Sequence, residues 1–113
     1  MKYMMLVCAG ESVELSPEEG ARMGPATEAW VEEMDRRGIR LQGDRLRPVS
    51  DATTVSVRGG EVLIADGPFA ETKEQIAGFD IIDCANLDEA IEVAAKHPVA
   101  GFGKIEVRPF WVD

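Results

Sequence analysis

Asp66-Gly67-Pro68-Phe69-Ala70-Glu71-Thr72-Lys73-Glu74-Gln75 is the stretch around which the rest of this chain can be ordered. Gly67 permits backbone angles closed to residues with a Cβ, Pro68 fixes φ, and the Asp66 carboxylate can accept hydrogen bonds from amides just downstream. The run predicts a shaped turn carrying four ionisable groups. Just upstream, Thr53 to Val57 and Val62 to Ala65 flank Arg58-Gly59-Gly60-Glu61, and the Gly-Gly pair predicts a hairpin. Just downstream, Ile76 to Cys84 reads as a strand. It sets Phe79, Ile81 and Asp83 on one face and Gly78, Asp80, Ile82 and Cys84 on the other, which leaves Asp80 among apolar neighbours.

Working outward, Lys2 to Ala9 predicts a buried strand. Ser16-Pro17-Glu18-Glu19 then supplies an N-cap, a proline at the first helical position and a glutamate two residues later, at N3. Gly24-Pro25 predicts an interruption, with a short first helical piece, a kink or restart, and a second piece through Arg37 that Gly38 ends. Thr27, Trp30, Val31 and Met34 share the inward face of the second piece, and Trp30 reads as core. Ile39 to Leu46 is the next strand. Asn86-Leu87-Asp88-Glu89 opens a last helix whose apolar stripe is Ala90, Ile91, Ala94 and Ala95, Pro98 stops it, and Lys104 to Phe110 closes the chain as a strand. The order strand, helix, strand, hairpin, strand, helix, strand predicts an α+β, ferredoxin-like split β-α-β fold with an added β-hairpin, in a single domain over residues 1–113. Such a sheet carries helices on one face only. Its remaining apolar positions and the trailing Phe110-Trp111-Val112 predict a homodimer that covers the other face.

Composition bounds the function. A chain of 113 residues holds one core, and 45% hydrophobic with 29% charged residues is ordinary for a compact soluble domain. Twelve Lys and Arg against twenty-one Asp and Glu give a net charge of −9, which repels phosphate backbones and disfavours direct nucleic-acid binding. Arg40, Arg45 and Arg47 form a local basic cluster that either attracts an anionic ligand or pairs with acidic neighbours such as Asp44. The apolar run Tyr3 to Ala9 is at the lower limit for a signal sequence and Glu11 follows it, so a first strand explains it better, and no stretch approaches a membrane span. The expectation is a cytoplasmic protein.

Chemistry-bearing residues are few. Cys8 and Cys84 have no Cys-x-x-Cys partners, and with one histidine in the chain a zinc site lacks ligands, so no metal or cofactor is expected. Antiparallel pairing of their strands would put the two cysteines at opposite edges, which argues for buried thiols and against a disulfide. His97, just before Pro98, is either a general base or a cation or donor at a helix C-terminus. No Gly-x-Ser-x-Gly elbow or phosphate-binding glycine loop is present. The catalytic candidates are therefore carboxylates, Asp66, Glu71 and Asp80, with Asp44 beside them. Asp80 has two readings: a buried proton-transfer group with a raised pKa, or an aspartate satisfied by backbone amides or an arginine. Thr72-x-x-Gln75 matches a capping-box pattern, and Lys73 with Glu74 reads as a solvated pair.

Asp66, Gly67, Pro68, Phe69, Glu71, Thr72, Lys73 and Glu74, with Asp88-Glu89-Ala90, His97-Pro98 and Glu106-Val107-Arg108-Pro109, resemble the DGPF signature and the flanking motifs of the YCII-related family, over nearly the whole chain. The resemblance implies a dimeric α+β barrel in which two sheets cover each other. Several such proteins carry a histidine on the first long helix near an aspartate, an arrangement that suggests an acid–base dyad. This chain has Thr27 there, whose hydroxyl does not titrate near neutral pH. Asp80 stands where many relatives carry an aromatic residue. The wider superfamily includes cofactor-independent monooxygenases and lactone isomerases, and DGPF proteins often accompany extracytoplasmic-function sigma factors.

Two functions are expected from these residues. One is a homodimer with a small-molecule pocket between the first helix, the signature turn and the sheet, having binding or weak acid–base activity, with Asp66, Gly67, Pro68, Phe69, Glu71, Thr27 and Arg45 as ligand contacts. The other is a noncatalytic interaction or regulatory protein, a companion of a sigma factor, that binds through an acidic face.

Overall fold

The computed structural model describes residues 1–10, 15–68 and 74–112. Its elements are β1 (Lys2–Gly10), α1 (Pro17–Arg36), β2 (Arg40–Arg45), a 3₁₀ turn at Val49–Asp51, β3 (Thr53–Arg58), β4 (Glu61–Asp66), β5 (Glu74–Asp83), α2 (Leu87–Ala95), a second 3₁₀ turn at Pro98–Gly101, and β6 (Lys104–Pro109). The main sheet has the order β2-β5-β1-β6 with every neighbouring pair antiparallel, and β3 and β4 form a separate two-stranded ribbon. This is an α+β fold with the strand order expected of a ferredoxin-like domain carrying an extra hairpin.

Local chemistry accounts for the boundaries. The Glu19 amide donates to Ser16 Oγ while Glu19 Oε1 accepts from the Ser16 amide, so both halves of the capping box form at the start of α1. At the other end Gly38 takes φ +69°, its amide donates to the Asp35 carbonyl, and the Ile39 amide reaches back to the Met34 carbonyl. That pair of bonds is a Schellman closure, and the two side chains it brings together, Ile39 and Met34, are both core residues. The ribbon turns through Gly59 and Gly60 at φ +57° and +82°, the sign a tight two-residue hairpin demands.

Two expectations need correction. α1 runs unbroken from Pro17 to Arg36 with Pro25 inside it, where an interruption was expected. A proline deletes one amide donor, and Gly24, Pro25 and Ala26 all lie on the exposed side, where water can satisfy the freed carbonyl. α2 buries Ala90, Val93 and Ala94, whereas Ile91 and Ala95 face outward. Both stripes obey helical spacing; the inward one continues to His97, which is buried just past the end of the helix.

Alternate residues of β1 and β5 meet the helices. Tyr3, Met5 and Val7 are buried on one side of β1, and Ile82 and Cys84 pack with Tyr3 and Met5 in one core with Trp30, Met34 and Val93. Met5, Met34, Ile82 and Val93 are wholly enclosed, each worth about 1.5–3 kcal/mol relative to exposure. Trp30 Nε1 donates to the Val93 carbonyl at 3.0 Å, so the same side chain fills the core and ties α1 to α2. Cys8 and Cys84 are free thiols at opposite ends of the β1–β5 pair.

The sheet's second face has no helix. Met4 pairs with Ile81 and Leu6 with Phe79 across the ladder, and these four side chains are only half-buried. The ribbon is more open still: Val55, Val57, Val62 and Ile64 share one face and are 56–68% exposed. The chain spans 48 × 45 × 18 Å with a radius of gyration of 16.1 Å. A compact chain of this length would have about 13 Å. The difference is that of a slab one helix layer deep, with a projecting ribbon.

Gly20→Ala and Gly67→Ala should move stability in opposite directions. Gly20 is helical with nothing within 4 Å of an added Cβ, so alanine should stabilise by about 0.5–1 kcal/mol. Gly67 has φ +93°, so alanine should destabilise by about 1–2 kcal/mol. Urea denaturation at one fixed protein concentration checks both signs.

Candidate functional site

A cleft of ≈ 1000 Å³ opens between α1, the β2–β5 half of the sheet and the 3₁₀ turn that follows α2. Its floor holds the one buried carboxylate among the described residues, Asp80, 6% exposed. Arg40 Nε donates to Asp80 Oδ1 at 2.9 Å, Arg40 Nη2 donates to the Gly43 carbonyl at 2.9 Å, and Nη1 lies 3.8 Å from Asp35 on α1. Features of both readings for Asp80 are present: it is buried with a raised pKa, and it is satisfied by an arginine. Burial raises its pKa, the Arg40 guanidinium works against that rise, and Asp35 and Asp44 add weakly to it.

A bulge positions this pair. Arg40 pairs with Ile82 and Gln42 with Ile81, so Leu41 is an extra residue in β2. In a regular strand Arg40 and Gly43, three apart, would face opposite ways; the extra residue brings both to the helix side, where Ile82 and Asp80 are buried. Gly43 is required by the carboxylate. A Cβ there would collide with Asp80 Oδ1 and stand 2.8 Å from both Asp80 Cγ and the Phe79 carbonyl.

Thr27 and Arg45 line the same cleft. The Thr27 hydroxyl donates to the Met23 carbonyl at 2.8 Å, one turn back along α1. Arg45 pairs across the ladder with Gly78 and has no hydrogen-bond or ion-pair partner among the described residues. Its neighbours in the basic cluster are occupied: Arg40 with Asp80, and Arg47 with Asp51 at 3.0 Å on the open surface.

His97 is not the helix-end cation that was one expectation. α2 stops at Ala95, and His97 is the N-cap of the next 3₁₀ turn, where Nδ1 accepts from the Val99 amide at 3.1 Å. The ring is 6% exposed and meets Trp30 edge-on, with centroids 4.9 Å apart. Burial lowers its pKa from the usual 6.5, so the neutral ring is favoured. It lines the cleft too. Sequence reading missed this role because Lys96-His97-Pro98 looks like a helix end and hides the second turn that begins there.

The described start of the signature run, Asp66 to Pro68, lies outside this cleft. Gly67 is held by its own backbone, its amide donating to the Ala52 carbonyl and its carbonyl accepting from Thr54 Oγ1. Among the described residues the Asp66 carboxylate makes no hydrogen bond, and Asp66, Gly67 and Pro68 do not line the cleft. Phe69 and Glu71, two of the expected ligand contacts, lie outside the described residues, as do Thr72 of the capping-box pattern and Lys73. A second concavity of ≈ 690 Å³ runs between α2 and β6 past Cys8. The Cys8 thiol is pushed up by burial and by Glu106 and Glu74, and its cationic neighbour Lys104 is engaged by Glu74 at 3.5 Å, so no activated thiol results. No group of three or more metal-ligating side chains converges among the described residues, and no described helix is long and apolar enough to cross a membrane.

Against known families, residues 1–112 match the YCII-related domain. The chain belongs to the YCII-related family. One relative is an uncharacterized protein of Rhizobium meliloti (strain 1021), 41% identical over 100 residues, an alignment covering 74% of this chain and 81% of the relative.

Two outcomes test this geometry. Gly43→Ala should destabilise by about 1–3 kcal/mol, because either the Asp80–Arg40 pair or the β2 backbone must move; a denaturation midpoint equal to wild type would contradict the close approach. The second is pH dependence. A lowered folded pKa for His97 means that the unfolded chain takes up a proton first, near pH 6.5, so stability is lost as pH falls below that value. Asp80 has the opposite sign, since its raised pKa makes acidification favour the fold as pH falls through the folded value, a gain complete by the unfolded value of 3.8. His97→Asn, which keeps a capping oxygen but does not titrate, should lose less stability between pH 7.5 and 5.5 than wild type in parallel urea titrations.

Proposed function

We propose that this YCII-related protein is a cytoplasmic homodimer of the DGPF subgroup, built as a dimeric α+β barrel, that holds a small molecule in the cleft beneath α1 and has binding or weak acid–base activity. The observation that carries the ligand reading is the cleft's floor. A buried carboxylate and a buried imidazole line one open space, together with an arginine that has no protein partner among the described residues. Polar groups this deeply buried cost stability, and binding or proton transfer is the use that offsets the cost.

The dimer is supported by the uncovered apolar surface. A two-stranded ribbon is at best marginal by itself, and here its apolar face and the Met4, Leu6, Phe79, Ile81 stripe both lack cover among the described residues. Sedimentation velocity should give twice the 12.3 kDa chain mass, and Ile81→Glu should shift the protein toward monomer; a wild-type monomer at micromolar concentration would overturn the barrel. The signature turn remains a proposed ligand contact through Asp66, Gly67, Pro68, Phe69 and Glu71. In a thermal-shift screen, a ligand seated in the cleft should lose its stabilising effect in Arg45→Gln and keep it in Asp66→Asn. The reverse pattern would move the site to the turn.

The second reading, a noncatalytic companion of an extracytoplasmic-function sigma factor, is favoured by the trailing segment, where Trp111 is 97% exposed and Val112 77% exposed. A stoichiometric protein partner in a pull-down, lost on Trp111→Ala, supports it; its retention by that variant counts against this segment as the contact.

A further inference from the structure

The tautomer and partners of the cleft's buried groups define what it can accept. The Val99 amide donates to His97 Nδ1, so that nitrogen carries the lone pair and the ring proton sits on Nε2. Nε2 has no acceptor among the described residues. None of their buried side-chain nitrogen or oxygen atoms is sealed without a partner, so Nε2–H is open to the cleft that His97 lines. Asp80 obeys the same logic: Oδ1 takes the Arg40 Nε proton, while Oδ2 has no donor among the described residues and is likewise unsealed. Two side chains, each more than nine-tenths buried, thus leave one donor and one acceptor that no described residue engages.

Charge narrows the class. Asp80 and Arg40 cancel each other, the imidazole is neutral, and the Thr27 proton is spent on Met23. At the mouth, Glu28, Glu32 and Asp44 outnumber Arg45, but all four are exposed, so their charges are screened by water. Taking a charged ligand out of water to the floor costs several kcal/mol per ion unless an unpaired opposite charge waits inside, and none does among the described residues. The remaining walls include Met23, Trp30, Val31 and Val99.

We propose that the cleft recognises an uncharged, largely apolar small molecule that offers a carbonyl-type oxygen to His97 Nε2–H and a hydroxyl or amide proton to Asp80 Oδ2. This rests on reading the cleft as the ligand site. His97 is then a binding residue, held in one tautomer by the Val99 amide, and Asp80 is an acceptor whose charge is already matched. A charged analogue of the same shape is excluded by its own hydration.

Matched probes test the class without knowledge of the natural ligand: 3-hydroxybenzamide, 3-hydroxybenzoate and 3-hydroxybenzylamine, titrated into ¹⁵N-labelled protein at pH 7.5. The expected result is movement of the Thr27, Gly43 and Val99 amide signals, with the benzamide binding at least tenfold more tightly than either charged probe. His97→Asn should weaken the benzamide by about tenfold and leave the weak benzoate binding unchanged. Equal or tighter binding of a charged probe at these signals would overturn the proposed class while leaving the cleft as a site. If none of the three probes moves a cleft signal in the wild-type protein, the class and the cleft reading both fall.

Discussion

The contact between Arg40 and Asp80 holds together the part of this fold that matters for function. A single guanidinium bonds the β5 carboxylate and the β2 carbonyl of Gly43 and lies near Asp35 on α1. Removing either member would leave the other partly buried and unmatched, at a cost of about 3–5 kcal/mol for buried pairs in general. The pair exists because of a local irregularity: the extra residue in β2 turns Arg40 inward, and the absent side chain at Gly43 leaves room for the carboxylate. A fully apolar floor would fold at least as well. What the ionic one adds is a polar surface, oriented by the backbone, at the bottom of the cleft.

From that floor the rest of the site follows. α1 has to stand over β2 and β5 to roof the cleft, and its Schellman closure at Gly38 delivers the chain directly into β2 at that point. The side wall comes from the other helix. Trp30 reaches the Val93 carbonyl, His97 packs edge-on against Trp30, and the turn capped by His97 brings Val99 into the wall. Outside, Arg37 with Glu92 and Lys96 with Glu33 span the two helices, but these ion pairs are exposed and contribute little next to the buried contacts. The two helices and half of the sheet thus form one rigid frame, while the ribbon and the bare sheet face are the surfaces the dimer proposal uses.

Much of this was legible from residue type and spacing. Ser16 with Glu19, the Gly59-Gly60 pair and Asn86 announce their elements because caps and turns depend on local chemistry alone. Alternation along Ile76 to Cys84 puts Asp80 on the buried face with Ile82, and helical spacing sets Thr27 on the inward side of α1, where it lines the cleft. What stayed hidden depends on partners distant in sequence. The bulge at Leu41 exists only relative to β5, so Arg40 could be read as one of three clustered arginines but not as the partner of Asp80. The inward stripe of α2 differs from the expected one by a single helical step, and only the sheet beneath selects between them. His97 was judged by the helix before it, whereas its proton position is set by the turn after it. Of the signature run, the described Asp66, Gly67 and Pro68 do not line the cleft, although the run lies within the family match over residues 1–112.

The central claim is that the cleft over Asp80 and Arg40 holds a small molecule in a dimeric protein. Native mass spectrometry of the protein purified from its own host tests it most directly, because one spectrum reports both subunit number and retained mass. The account predicts a dimer carrying a defined extra mass on each chain, released on mild denaturation as an uncharged compound and absent from an Asp80→Asn preparation. A monomer, or a dimer whose mass equals two bare chains under conditions that preserve known weak complexes, would contradict it.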